Sequence, residues 1–230
     1  QCISLMAETN HTVHTMLFQE GLLPVLVSIL SSSKSYQVRL VVLQLLARCA
    51  QTHKCRVDLA KTNLVEQVLS IMRESDSEAD GGEMKVRCAE ALHRLGSEKT
   101  VLDQVQQHNG MGVLLNLMSI TGSGETRLMQ FACEALSTCA VNPASTVSLH
   151  EVGALDSLLN LLDVRDEATV PTQTKVFVLI TLKNMFSNSR ACRDAFLAKG
   201  YGLKTLLRQL KDSIAPRILS EASRALSELG

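Results

Sequence analysis

Gly-Leu-Leu-Pro-Val-Leu-Val-Ser-Ile-Leu at residues 21–30 and Gly-Ala-Leu-Asp-Ser-Leu-Leu-Asn-Leu-Leu at residues 153–162 share one pattern, a glycine followed by apolar side chains at i, i+3, i+4 and i+7. That spacing puts four side chains on one face of a 3.6-residue helix. The pattern occurs five times, as Leu23/Leu26/Val27/Leu30, Val65/Val68/Leu69/Met72, Met111/Leu114/Leu115/Met118, Leu155/Leu158/Leu159/Leu162 and Leu203/Leu206/Leu207/Leu210. The first residues of successive copies are 42, 46, 44 and 48 apart, a period at which helical repeats stack.

Working outward, each copy follows a short helical segment whose inward residue lies six positions earlier: Leu17, Leu59, Val105, Leu149 and Leu197. The turns between the two carry Gly21, Asn63, Asn109-Gly110, Gly153 and Gly200-Tyr201-Gly202, residue types that accept the left-handed conformation. Pro24 suits a first helical turn. A third helix follows each copy, with Leu46, Leu92, Leu136, Leu182 and Leu226 spaced by 46, 44, 46 and 44. Three residues further on stand Cys49, Leu95, Cys139, Met185 and Leu229, and one residue before stand Leu45, Ala91, Ala135, Thr181 and Ala225. The small residues in that last row permit close helix crossing.

The two stretches quoted above resemble the second helix of the armadillo repeat, and Ala-Glu-Ala-Leu-His-Arg-Leu at residues 89–95 resembles its third. The resemblance implies an all-α, right-handed α-solenoid of about five three-helix repeats over one domain, 1–230, with a HEAT-like solenoid as the alternative fold. The repeats fall at about 10–50, 51–97, 98–140, 141–187 and 188–230, and residues 1–9 read as the end of a preceding repeat. Neither end shows the polar cap that a solenoid needs, so the chain reads as part of a longer protein. Apolar residues Ile3 and Leu5 at one end, and Leu226 and Leu229 at the other, are expected to allow homo-oligomer formation.

Composition narrows the function classes. Hydrophobic residues are 46% and aromatics 3% with no Trp, which favours aliphatic helix packing over aromatic stacking platforms. The net charge of +0 supplies no field for nucleic acid or an anionic membrane, so neither is expected as a partner. The seven cysteines are odd in number and never spaced C-x-x-C, which reads as reduced core thiols in the cytoplasm or nucleus. No run approaches the roughly 18 apolar residues of a membrane span.

Candidate chemistry reads as weak throughout, and no catalytic, cofactor-binding or metal-ligating residue is assigned. In the acidic run at residues 74–83 the calcium-loop register from Asp76 ends on Arg87 in place of a bidentate Glu. That run reads as a solvated loop, with Ser75 and Ser77 as phosphorylation candidates. Residues 121–125, Thr-Gly-Ser-Gly-Glu, lack the Gly-Lys-Ser/Thr ending of a phosphate loop. His11, His14, His53, Cys55 and His93 show no paired zinc-site spacing. Neither a nucleophile-base-orienter motif nor an expected cofactor emerges, so the chain reads as a non-enzyme.

The armadillo resemblance implies a concave groove lined by third helices, where peptide-binding members use a repeated Asn with Trp one turn earlier. The matching positions here are Arg48, Arg94, Thr138, Asn184 and Glu228, preceded by Gln44, Glu90, Glu134, Ile180 and Arg224. Only Asn184 fits, and no Trp is present. Gln44, Arg48, Glu90, Arg94, Glu134, Thr138 and Asn184 are therefore the candidate groove residues, and Arg48 with Arg94 suggests an acidic, extended protein or peptide partner. Glu90–Arg94 and Arg224–Glu228 can also form i, i+4 pairs that serve the helix alone. The implied function is a protein-interaction scaffold. A regulatory, autoinhibitory or oligomerisation module packed on a catalytic domain elsewhere is the alternative.

Overall fold

Gly21 and Gly153 adopt φ of 68° and 75°, the left-handed region that strains any side chain, and each opens a second helix of the repeat. Asn109 does the same at φ 51°. Asn63, Gly200 and Gly202 are not left-handed, contrary to the expectation from their residue types. At Asn63 the neighbouring Thr62 supplies the turn, its hydroxyl accepting from the Leu64 N–H at 3.3 Å.

The computed structural model describes residues 21–74, 81–118 and 126–229. The expectations placed on Ile3, Leu5, His11, His14, Leu17, Ser75, Ser77 and residues 121–125 lie outside the described residues. Among the described residues there are 14 helices and no strand. The chain divides into two units, Gln1–His108 and Asn109–Gly230. The first holds α1 (Leu22–Ser32), α2 (Tyr36–Cys49), α3 (His53–Leu59), α4 (Leu64–Glu74), α5 (Gly81–Leu95) and α6 (Lys99–Gln107). The second holds α7 (Gly110–Met118), α8 (Thr126–Cys139), α9 (Pro143–Glu151), α10 (Ala154–Asp163), α11 (Thr172–Asn188), α12 (Arg190–Ala198), α13 (Gly202–Asp212) and α14 (Pro216–Ser227).

Within the first unit the third helices α2 and α5 pack side by side, as do α8 with α11 and α11 with α14 in the second. Their starts are marked by chemistry that cannot continue a preceding helix: Pro216 opens α14, and Pro171 precedes α11. Asn142 caps α9 by accepting from the Ala144 N–H at 3.0 Å, and Ser189 caps α12 by accepting from the Cys192 N–H at 3.3 Å.

All sixteen stripe positions of the first four copies are buried, from Leu23 through Leu162. Each such aliphatic side chain contributes about 1.5–3 kcal/mol on burial. Leu46, Leu92, Leu136 and Leu182 are buried as expected, and so is the small-residue row from Leu45 to Ala225. Side chains also join repeats at the expected period. Gln104 donates to the Ala60 carbonyl at 2.9 Å, and Asn188 donates to the Ala140 carbonyl at 3.0 Å.

The fifth copy departs from its expected register. Leu203 and Leu207 are exposed, Leu210 is half-buried, and the buried face of α13 is Gly202, Thr205, Leu206 and Gln209. In α12 the inward residue is Phe196, fully buried, while Leu197 is 52% exposed. Both helices are thus rotated by one residue relative to the leucine pattern. The cause is steric: the Phe196 ring packs against Phe186 in a tilted pair with centroids 4.7 Å apart, and a Cβ on Gly202 would meet that ring at 2.7 Å. An aromatic ring buries more apolar surface than a leucine, and only glycine allows the helix to approach it. Gln209, carried inward by the rotation, is satisfied by donating to the Leu162 carbonyl at 2.7 Å.

Candidate partner-binding faces

The third helices carry half-buried positions along one side, and the seven candidate groove residues from Gln44 to Asn184 are all among them. In the first unit, Gln44 and Arg48 on α2 and Glu90 and Arg94 on α5 are all half-buried. Glu90 accepts from Arg94 at 2.9 Å and from Arg87 at 3.0 Å, and Arg87 also pairs with Glu83 at 2.9 Å. The i, i+4 pair expected at Glu90–Arg94 is therefore formed. Burial pushes the Glu90 carboxyl up, but the two guanidiniums outweigh it and hold the carboxyl below its ordinary value.

In the second unit the matching positions are Glu134 and Thr138 on α8 and Ile180 and Asn184 on α11, all half-buried, and Arg224 on α14, which is exposed. Thr138 donates back to the Glu134 carbonyl at 3.0 Å. The Asn184 amide donates to the Ser137 carbonyl at 3.3 Å, so it ties α11 to the end of α8. Arg224 pairs with Glu221 at 2.8 Å in place of the expected Glu228, which lies past the last residue of α14 at Ser227.

One turn earlier on each third helix stands a position that spacing alone did not mark: Val41 and Arg87 in the first unit, and Phe131, Phe177 and Glu221 in the second, all half-buried. Of the five phenylalanines, Phe186 and Phe196 fill the core, whereas Phe131 and Phe177 face outward on α8 and α11. The Arg127 guanidinium lies 5.8 Å from the Phe131 ring centroid, within cation–π range. The signal was present, since Phe131 and Phe177 are 46 residues apart, the same interval as Leu136 and Leu182.

Two small cavities occupy matched places. One, about 280 Å³, is lined by Leu30, Arg39, Asn63, Gln67 and Glu74 in the first unit. The other, about 320 Å³, is lined by Leu162, Arg165, Glu167, Lys175 and Arg208 in the second. Arg39 and Lys175 both stand seven residues before the buried third-helix leucine. Arg39 spans its gap by donating to the Ser33 carbonyl at 2.7 Å, with Glu74 at 3.7 Å. Lys175 is 7% exposed, and its burial lowers its pKa while Glu167 partly offsets the effect. These volumes sit at the low end of small-molecule pockets.

The six described cysteines are buried and free. Burial pushes the Cys49 thiol up to about 11 and that of Cys139 up to about 12, and raises Cys88, Cys133 and Cys192 as well. Thiols so shifted do not supply thiolate at neutral pH. Among the described residues no three His, Cys, Asp or Glu side chains gather as a metal site, and no helix is long and apolar enough to cross a membrane.

No protein-family model and no curated protein matches the sequence. Solved structures do match. A designed armadillo repeat protein in complex with the peptide (KR)4 has a TM-score of 0.83 at 17% identity, covering 99% of this chain and 90% of that one. A computationally designed armadillo repeat protein for modular peptide recognition has 0.83 at 16% identity, with the same coverage. An engineered protein has 0.85 at 22% identity, and this chain spans about half, 52%, of its length. With its three-helix periods and its stacked third helices, the chain has the armadillo repeat fold, all-α, with no particular member of that class singled out.

Proposed function

We propose that the chain is a non-catalytic protein-interaction scaffold that holds an extended partner segment on the third-helix faces. The observation that carries this reading is the shared register of half-buried polar and aromatic side chains on adjacent third helices. Such rows repeat at the spacing of the helices and suit an extended chain laid across them. The buried, protonated thiols and the small cavities offer little for catalysis in the same residues.

In the first unit Arg48 and Arg94 are the proposed contacts for an acidic segment, through charge-assisted hydrogen bonds stronger than neutral ones. The designed protein cited above is in complex with a Lys-Arg peptide. Here the Trp is absent and Asn184 is engaged with α8, so an acidic peptide is the better fit. Labelled acidic and Lys-Arg peptides, compared by fluorescence anisotropy, test the reading. The acidic peptide should bind more tightly, and Arg48→Glu with Arg94→Glu should abolish that preference. An equal or greater affinity for the Lys-Arg peptide contradicts it. The double variant should unfold only slightly earlier, because the Glu90–Arg94 pair contributes about 0.3–0.5 kcal/mol.

A further inference from the structure

The cavity of about 320 Å³ in the second unit is lined by a buried ammonium that has no partner. Lys175, near the start of α11, is 7% exposed, and among the described residues its Nζ forms no hydrogen bond and no ion pair. A buried charge without a counterion is costly. Burial lowers the Lys175 pKa, Glu167 and Asp166 oppose that shift from a distance, and Arg208 adds to it.

The matched residue in the first unit shows what satisfies such a position. Arg39 donates to the Ser33 carbonyl at 2.7 Å and has Glu74 at 3.7 Å. The connection from α1 to α2 there spans residues 33–35, which keeps that carbonyl close, whereas the connection from α10 to α11 spans residues 164–171. The longer connection engages its own polar groups. Asp166 accepts from the Ala168 N–H at 3.0 Å and from the Thr169 hydroxyl at 2.7 Å, and Glu167 accepts from the Thr172 hydroxyl at 2.7 Å. Lys175 is left facing the cavity.

The opposite wall is fixed as well. Arg208 is held by Asp163 and by the Leu162 carbonyl at 3.4 Å, and Gln209 donates to the same carbonyl at 2.7 Å. Like its match between the first two repeats, the cavity sits at a junction inside the chain, here between repeats four and five of the second unit. Arg165 also lines it, is exposed, and is unpaired among the described residues. So do the exposed carboxylates Glu167 and Asp212, which would repel a doubly charged anion.

We propose that this cavity binds a single carboxylate group, held by the Lys175 ammonium from within and by the Arg165 guanidinium from outside. Charge-assisted hydrogen bonds in a partly desolvated site are the strong ones. A free organic acid and the acidic side chain of a peptide carry the same group, and the test separates them. The site uses none of the residues in the third-helix rows and does not rest on their proposed role.

The test uses the 230-residue chain at one ionic strength, with butyrate, N-acetylglutamate α-amide or inorganic phosphate replacing part of the chloride. Two readouts are taken: the thermal midpoint, and the rate at which acetic anhydride labels each lysine, followed by mass spectrometry. Butyrate at several times its Kd should raise the midpoint and slow labelling of Lys175 at least about threefold, leaving the exposed Lys204 unchanged. Phosphate should do less. Protection by butyrate alone assigns the site to a free acid, and equal or better protection by the blocked glutamate assigns it to a peptide side chain; either outcome supports the proposal. Lys175→Met should abolish the butyrate effect on the midpoint while melting no lower than the parent, because it removes an uncompensated buried charge. Arg165→Met, at an exposed position, should keep the fold and weaken butyrate binding several-fold. The proposal is overturned if butyrate acts no differently from chloride, if phosphate protects Lys175 better than butyrate, or if the butyrate effect survives Lys175→Met. It is also overturned if Lys175→Met melts well below the parent, since the ammonium would then be satisfied within the fold.

Discussion

Repeats four and five carry the same leucine pattern and fold it differently. In α10 all four stripe leucines are buried, whereas in α13 only Leu206 keeps its place and two others face solvent. The helical period dictates that some face turns inward. Which face does so is settled by the bulkiest group competing for the junction, and here Phe196 displaces Leu197 and draws Gly202 against its ring. A one-residue rotation then converts a core stripe into an exposed one, and polar Thr205 and Gln209 enter the interior because Leu162 and Asp163 can accept from them.

The largest expected effect on this comparison comes from removing its cause. Phe196→Ala should cost about 3–5 kcal/mol of unfolding free energy in urea, since a fully buried ring leaves a cavity against Phe186. A loss below about 1 kcal/mol would mean that the ring does not set the register. Gly202→Ala should come next, at about 1–3 kcal/mol, because its Cβ would meet the ring at 2.7 Å. The matched change Gly200→Ala, with nothing within 4 Å of the added carbon, should be far milder.

A smaller effect belongs to the first unit. The Glu90 carboxyl is held below its ordinary value in the folded state, so its pairing with Arg94 and Arg87 contributes stability above about pH 4.3, the unfolded value, and loses it as pH falls through the lower folded one. Glu90→Gln should flatten that acid limb by a fraction of a kcal/mol, measured as the pH dependence of the thermal midpoint. An acid limb as steep in the variant as in the parent would assign the pH dependence to other carboxylates.

Much of the fold was legible because aliphatic periodicity is a one-dimensional signal. The leucines of the first four copies and the third-helix ladder from Leu46 to Leu182 could be counted along the chain, and their burial follows from the count. The register of repeat five was not legible by the same count, because a leucine template scores Leu203 and Leu207 without seeing the contact between Phe196 and Gly202. Turn conformation was half legible: Gly21, Asn109 and Gly153 are left-handed, whereas Asn63 is relieved of that need by the Thr62 hydroxyl.

For the candidate faces, spacing located the seven residues from Gln44 to Asn184 at half-buried positions while Arg224 is exposed, and Glu90–Arg94 followed from helix geometry. Partner choice among several carboxylates did not follow, since Arg224 had Glu221 within reach as well as Glu228. Phe131 and Phe177 did not follow from the resemblance, because the armadillo pattern marks only the rows of Gln44 and Arg48. The aromatic row lies one turn before them.

The most direct measurement is a paired one, Leu159→Ala in α10 against Leu207→Ala in α13, each followed by urea unfolding. The two leucines hold the same place in the sequence repeat, yet one is 1% exposed and the other 49%. Leu159→Ala should cost about 2–5 kcal/mol, and Leu207→Ala should stay within about 0.5 kcal/mol of the parent. Equal losses of several kcal/mol at both sites would contradict the rotated register of repeat five.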